Sequence, residues 1–235
     1  MTAQEVVEEL KTLGKPSIKK VLINHGAREP FFGVSVEDLK KLQKRIRKDH
    51  ALALELYETG ISDAMYLAGL IVDDARMSKS DLNRWVKAAY WSMLSESTVP
   101  WVATEGPHGW EMGLEWIESK TETIAAAGWS TLGCVLKIKP DAEIDLAKTG
   151  ELLERVASSI HDHPNRVRLQ MNEFVIDAGS YVAALTERAF EAADRIGLVK
   201  VNMGETACKV PGAREYIEKV RAAGKLGKKR RTAKC

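Results

Sequence analysis

The chain reads as an all-α protein built from stacked, antiparallel helix pairs. Three observations predict this. Apolar residues recur at helical rather than strand spacing through most of the length. Prolines 16, 100, 107, 164 and 211 stand where helical patterns open, positions at which a missing N–H breaks no intrahelical bond. Helical patterns start near residues 36, 80, 121 and 164, at spacings of 44, 41 and 43, each read as an outer helix followed by an inner partner. That period belongs to HEAT-like repeats. Such pairs bury their apolar faces only against their neighbours, so the stack forms a curved solenoid.

The elements follow in order. From residue 36, Val36, Leu39, Leu42 and Ile46 form an apolar stripe, and Lys40, Lys41, Lys44, Arg45, Arg47 and Lys48 ride beside it. Segment 62–73 (SDAMYLAGLIVD) opens on Ser62 as a helix cap and is apolar almost all round, which predicts an inner helix. Segment 80–94 stacks Leu82, Trp85, Val86, Ala89 and Met93. Segment 121–137 stacks Ile124, Gly128, Leu132, Val135 and Leu136, and segment 164–178 stacks Val167, Met171, Phe174, Val175 and Ala178. The small run Ala125–Gly128 suits close helix packing, or the close approach of a nucleic-acid backbone. Val34–Val36 and Val199–Val201 are short, sit between turn residues and read as loops.

Composition narrows the class. With 235 residues, 45% hydrophobic and 29% charged, the chain is long enough and apolar enough for a core without disulfides or metals. The longest apolar stretch free of charge, Thr123–Leu136, has only 14 residues, so no membrane span is expected. The opening MTAQEVVEEL is acidic and amphipathic, unlike a signal peptide. Cys134, Cys208 and Cys235 share no close spacing, which fits a reducing cytoplasm.

Charge is distributed unevenly. Residues 209–235 hold ten Lys/Arg against two Glu, which leaves the first 208 residues at a net −6 within a total of +2. Six cations fall within 225–234 (KLGKKRRTAK). The expected organisation is one helical domain over 1–224 and a flexible basic tail over 225–235 that seeks polyanions. Lys228, Lys229, Arg230 and Arg231 of the tail are candidates for phosphate contacts. So are Arg166 and Arg168, in the first turn of the helix after Pro164, where free N–H groups favour an anion. Asn172 shares a face with Arg168, and Asn165 is placed to cap the helix. There is no GxGxxG, no P-loop and no zinc-type Cys/His spacing. His161-Asp162-His163 has no metal-binding partner nearby in sequence, so no cofactor or metal is expected.

Residues 31–74 carry a further signal: Phe-Gly-Val before the basic helix, a Leu-Ala-x-Glu-Leu-Tyr helix, and a Leu-Ala-Gly-Leu-Ile-Val-Asp-Asp ending. This stretch resembles the DNA alkylation repair family, whose best known branch is the AlkD-like DNA glycosylases, and the resemblance runs more loosely over residues 5–196. It implies a right-handed, C-shaped stack of HEAT-like repeats whose concave, cationic surface holds double-stranded DNA. Active members excise N3- and N7-alkylated purines with an aromatic and a carboxylate four residues apart on one helix. Here the match is Trp101 and Glu105, which share a helix face, with Trp110 and Trp91 as further aromatic walls around a lesion. A carboxylate there would stabilise cationic character on the deoxyribose, and an indole would attract the same charge. The sequence departs from the family twice: Glu105 replaces the usual Asp, and the stretch matching the family's arginine, Thr123–Gly128, has no cation, with Ala126 nearest. Three functions follow as expectations for a monomer: an alkylpurine DNA glycosylase, a non-catalytic binder of damaged or branched DNA, and a helical-repeat scaffold for protein partners.

Overall fold

A computed structural model describes residues 1–234; Cys235 lies outside the described residues. Thirteen α-helices and no strand occur among the described residues. They are α1 (Ala3–Leu13), α2 (Pro16–Asn24), α3 (Val36–Ile46), α4 (His50–Glu58), α5 (Ser62–Ile71), α6 (Lys79–Ala88), α7 (Val99–Glu105), α8 (Gly109–Trp116), α9 (Glu122–Ile138), α10 (Leu146–Ser159), α11 (Asn165–Tyr181), α12 (Thr186–Ile196) and α13 (Ala213–Ala222). No helix among the described residues is long and apolar enough to cross a membrane.

Local chemistry starts several of these helices. Thr2 and Glu5 form a capping box at α1, and Ser78 and Asp81 form another at α6. Ser35, Asp49 and Asp145 each accept a first-turn N–H at α3, α4 and α10. Ser62 does not cap α5, as its sequence position suggests; Ile61 takes the cap position, and the Ser62 hydroxyl instead accepts the Trp91 indole N–H at 2.8 Å. Segment 80–94 is not one helix either. α6 stops at Ala88, and the chain re-enters helix through a π turn over 94–98 that runs into α7.

The helices form two layers. The inner row is α5, α7, α9, α11 and α13, each packed on the next. All ten residues of α5 are buried, as are twelve of the seventeen in each of α9 and α11. The outer row, α4, α6, α8, α10 and α12, buries one side only. Here the sequence expectation needs correction. Helices do start at 36, 79, 122 and 165, but the one at 79 is outer and those at 122 and 165 are inner, while α3 at 36 packs on the inner helix α5. The outer helices start at 50, 79, 109, 146 and 186, at intervals of 29, 30, 37 and 40 residues. The short α8, hidden in a Trp- and Gly-rich stretch, shifts the alternation. Gly128 lets α9 lie against the end of α8: a Cβ there would fall 2.6 Å from the Ile117 nitrogen. Of the two uses foreseen for Ala125–Gly128, close packing is the one realised.

Two hydrophobic cores result. One is built on α1 to α8, around Trp85, Leu67 and Met65; the other lies from α9 onward, around Trp129 and Phe174. α9 joins them, since Ala127 belongs to the first and Ala126 to the second.

Candidate nucleic-acid interface

The inner helices present two edges, one at their N-termini and one at their C-termini. α9, with seventeen residues, separates these by roughly 25 Å.

At the N-terminal edge lies an open groove of about 750 Å³, lined among others by Arg28, Trp91, Glu96, Glu122, Arg166 and Glu205. Glu96 occupies the π turn, and its side chain is only 6% exposed. Arg166 grips it with a guanidinium fork, Nε to Oε1 at 2.7 Å, and the Gln170 amide donates to Oε2 at 2.7 Å. The Ser130 hydroxyl donates to the Glu96 carbonyl at 2.7 Å and pins the turn. Burial lifts the Glu96 carboxyl above its ordinary value, against the pull of Arg166. Glu122 accepts the Arg166 backbone N–H at 2.7 Å, an anion at the start of α11.

This arrangement corrects two expectations. Arg166 is committed to Glu96 rather than free for phosphate. The groove is not electropositive, because its lining sets Glu96, Glu122 and Glu205 against Arg28 and Arg166. Asn172 is likewise structural: it is 1% exposed and its amide donates to the Pro211 carbonyl at 3.0 Å. Arg168 lines a separate surface hollow with Lys200 and Lys209. Asn165 does not cap its own helix; it exchanges two hydrogen bonds with the Asn202 backbone, at 2.9 and 2.7 Å, and ties down the following loop.

The Trp101–Glu105 pair sits on α7 as its spacing requires, but its surroundings differ from those foreseen. Trp101 packs edge-on against Tyr66 of α5, with ring centroids 5.6 Å apart. Trp91 is 5% exposed and lines the N-terminal groove, which neither Trp101 nor Glu105 lines. Trp110 packs against the second core. The structure therefore does not gather the four residues into one cage. Glu105 opens instead onto a hollow of about 600 Å³ shared with Lys44, Arg47, Lys48, Asp74 and Lys234.

That hollow marks the C-terminal edge, where the basic C-terminal segment lies. It was expected to be free, yet residues 225–234 run back across the ends of the inner helices. The Gly227 N–H donates to the Ser180 carbonyl of α11 at 2.9 Å. The Arg230 N–H donates to the Lys137 carbonyl of α9 at 2.8 Å, and the Lys229 ammonium to the Leu136 carbonyl at 2.9 Å. Lys229 also pairs with Asp141 at 2.7 Å. The Thr232 hydroxyl and the Ala233 N–H, the latter at 2.7 Å, donate to the same oxygen of Glu105. Lys234 pairs with Asp74 at 2.7 Å, just beyond α5. The last carbonyls of a helix lack intrahelical donors and carry partial negative charge. A basic segment laid over them supplies both donors and countercharge. Lys225, Lys228, Arg230 and Arg231 of the segment remain exposed. With Lys44, Arg47 and Lys48 of the α3 end, they make this edge the cationic one.

A buried charge cluster lies beneath the segment and was not foreseen. Lys137 and Asp177 pair at 2.9 Å between α9 and α11. Burial favours a neutral Lys137, but the adjacent Asp177 charge outweighs it and holds the ammonium above its ordinary range. One turn away, burial together with Asp177 pushes the Glu173 carboxyl up to about 7. Lys137, Glu173 and Asp177 stand among apolar residues in the sequence, but no local pattern shows that they are buried together.

Comparisons with known proteins agree with this architecture. The family described as DNA alkylation repair enzyme matches residues 6–217. The chain is 34% identical over 227 residues to the uncharacterized protein Lin0241 of Listeria innocua, covering 94% of this chain and 98% of that one. It is 33% identical, with the same coverage, to the uncharacterized protein Lmo0209 of Listeria monocytogenes. A solved structure reported as "a new family of proteins related to the HEAT-like repeat DNA glycosylases with affinity for branched DNA structures" superposes with a TM-score of 0.92 at 37% identity, over 100% of both chains. The all-helical, HEAT-like architecture and the match over nearly the whole length place the chain in the DNA alkylation repair family.

Proposed function

We propose that this chain binds double-stranded DNA at branches, through the cationic C-terminal edge, and does not excise bases. One observation carries the reading: the Glu105 carboxylate is taken up by Thr232 and Ala233 of the basic segment, which carries the exposed Lys225, Lys228, Arg230 and Arg231 along the same edge. The carboxylate that a glycosylase would turn toward a deoxyribose is thus engaged within the protein, while the segment that engages it offers phosphate ligands. The reported affinity of the structurally similar protein for branched DNA supports the same reading. So does the lack of a cation in Thr123–Gly128. Free thiols at Cys134 and Cys208 fit action in the cytoplasm.

Fluorescence anisotropy with a four-way junction and a blunt duplex of equal length tests this. The junction is expected to bind more tightly, and affinity should fall by orders of magnitude between about 50 and 200 mM salt. Equal affinity for both DNAs, or binding indifferent to salt, rejects the reading.

A second reading, excision of alkylated purines, is favoured by the shared helix face of Trp101 and Glu105. It requires the segment to leave Glu105. Release of 7-methylguanine or 3-methyladenine from methylated DNA, abolished by Glu105→Gln, would establish it in place of the first.

A further inference from the structure

The C-terminal edge holds one more concavity, which neither the family nor the reading above assigns. It lies where α11, α13 and the start of the basic segment meet, and has a volume of about 490 Å³. Its walls are Tyr181, Tyr216, Lys219, Lys225, Lys228 and Arg230, with two small apolar residues between them and no carboxylate in the lining. Neighbouring cations are neutralised: Arg214 by Asp194, Arg221 by Glu187, Lys229 by Asp141 and Lys234 by Asp74. Among the described residues, no salt bridge neutralises any of the four cations of the pocket.

Two phenol rings and four cations held in no salt bridge, in a pocket of this size, match one ligand chemistry, a planar ring carrying a phosphate. The rings offer stacking faces that tolerate any base, and the cations track a phosphodiester. Tyr216 is 44% exposed and so free to stack, whereas Tyr181 is partly buried and forms the fixed wall. Three of the cations, Lys225, Lys228 and Arg230, belong to the same basic segment that carries the proposed duplex contacts, so the pocket continues that surface. We infer that this pocket holds an unpaired nucleotide of a DNA strand, a single-stranded arm or a base displaced at a branch, stacked on Tyr216 with its phosphate among the lysines. The inference rests on the DNA-binding reading and deepens it by naming how unpaired DNA is distinguished from continuous duplex.

The test uses the full-length chain and a fluorescein-labelled oligothymidylate of about eight nucleotides. Junction and blunt duplex are measured on the same protein, and melting temperature checks the fold of each variant. Tyr216→Ala is expected to weaken oligothymidylate binding by about 5- to 150-fold while leaving blunt-duplex affinity unchanged. Tyr216→Phe, which keeps the ring, should restore binding. The double change Lys225→Ala with Lys228→Ala should weaken it and reduce its salt dependence. Unaltered oligothymidylate affinity in Tyr216→Ala overturns the inference. Displacement of the oligomer by equimolar AMP would assign the pocket to a free nucleotide and overturn the strand assignment. If the oligomer fails to bind while the junction binds, the inference falls and the branched-DNA reading stands; the reverse pattern removes that reading and leaves the pocket.

Discussion

Glu96 is a carboxylate that water scarcely reaches, and its charge depends on the Arg166 fork. Arg166→Ala would strand it with Gln170 as its remaining side-chain partner, and breaking a buried pair from one side typically costs 3–5 kcal/mol. A loss of about 3 kcal/mol is expected, read as a lower urea midpoint at unchanged slope. Glu173 makes the complementary case. Its folded-state value of about 7 lies above the ordinary 4.5, so between those values the native state binds more protons than the unfolded one. Stability should therefore fall as pH rises from about 4.5 to about 7, by up to roughly 3 kcal/mol, and then level off. Glu173→Gln removes the ionisation, so its urea midpoint should exceed the parent's at pH 8 and approach it at pH 5. Neither acid was legible as buried. Ser95-Glu96-Ser97 reads as a polar surface, and nothing local reveals that a π turn places Glu96 under Arg166, seventy residues away. The adjacency of Trp101 and Glu105 was legible because a four-residue spacing is a local property of a helix. The hold of Thr232 on Glu105 joins positions 127 residues apart, and no local pattern encodes it.

At the scale of the element, the inner helices were readable as soon as their apolar residues wrapped the whole circumference. α5 is the clearest instance. The layer alternation was harder, because helix starts alone do not say which side of a helix is covered. α9 and α11 have amphipathic-looking stripes in sequence, yet both lie in the inner row. Their small residues are what admit them there. Gly128→Ala places a methyl 2.6 Å from the Ile117 nitrogen and 2.9 Å from the Trp116 carbonyl carbon, both backbone atoms unable to swing aside. The gain in helix propensity, about 1 kcal/mol, does not offset an overpacking cost of about 1–3 kcal/mol. The variant is expected to melt a few degrees lower, as calorimetry would show.

For the whole molecule, the decisive feature is where the positive charge goes. The first 208 residues carry a net −6, and the last 27 bring the chain to +2 by lying over the inner-helix ends rather than by trailing away. Removing 225–235 withdraws donors from Ser180, Leu136, Lys137 and Glu105 together. With a net contribution of about 0.5–1.5 kcal/mol for each bond, a loss of several kcal/mol is expected, visible in the denaturation midpoint. The form of the transition should change as well. In a repeat array each unit ordinarily answers only to its neighbours, so the two ends come apart independently. Lys234 meets Asp74 across 160 positions of sequence, and the residues leading up to it touch α11, α9 and α7 on the way. They act as a chord drawn across an arc, so the spring cannot open at one end without pulling on the other. Hydrogen exchange should then report one common opening energy for both cores in the intact chain, and two separate energies once the chord is cut.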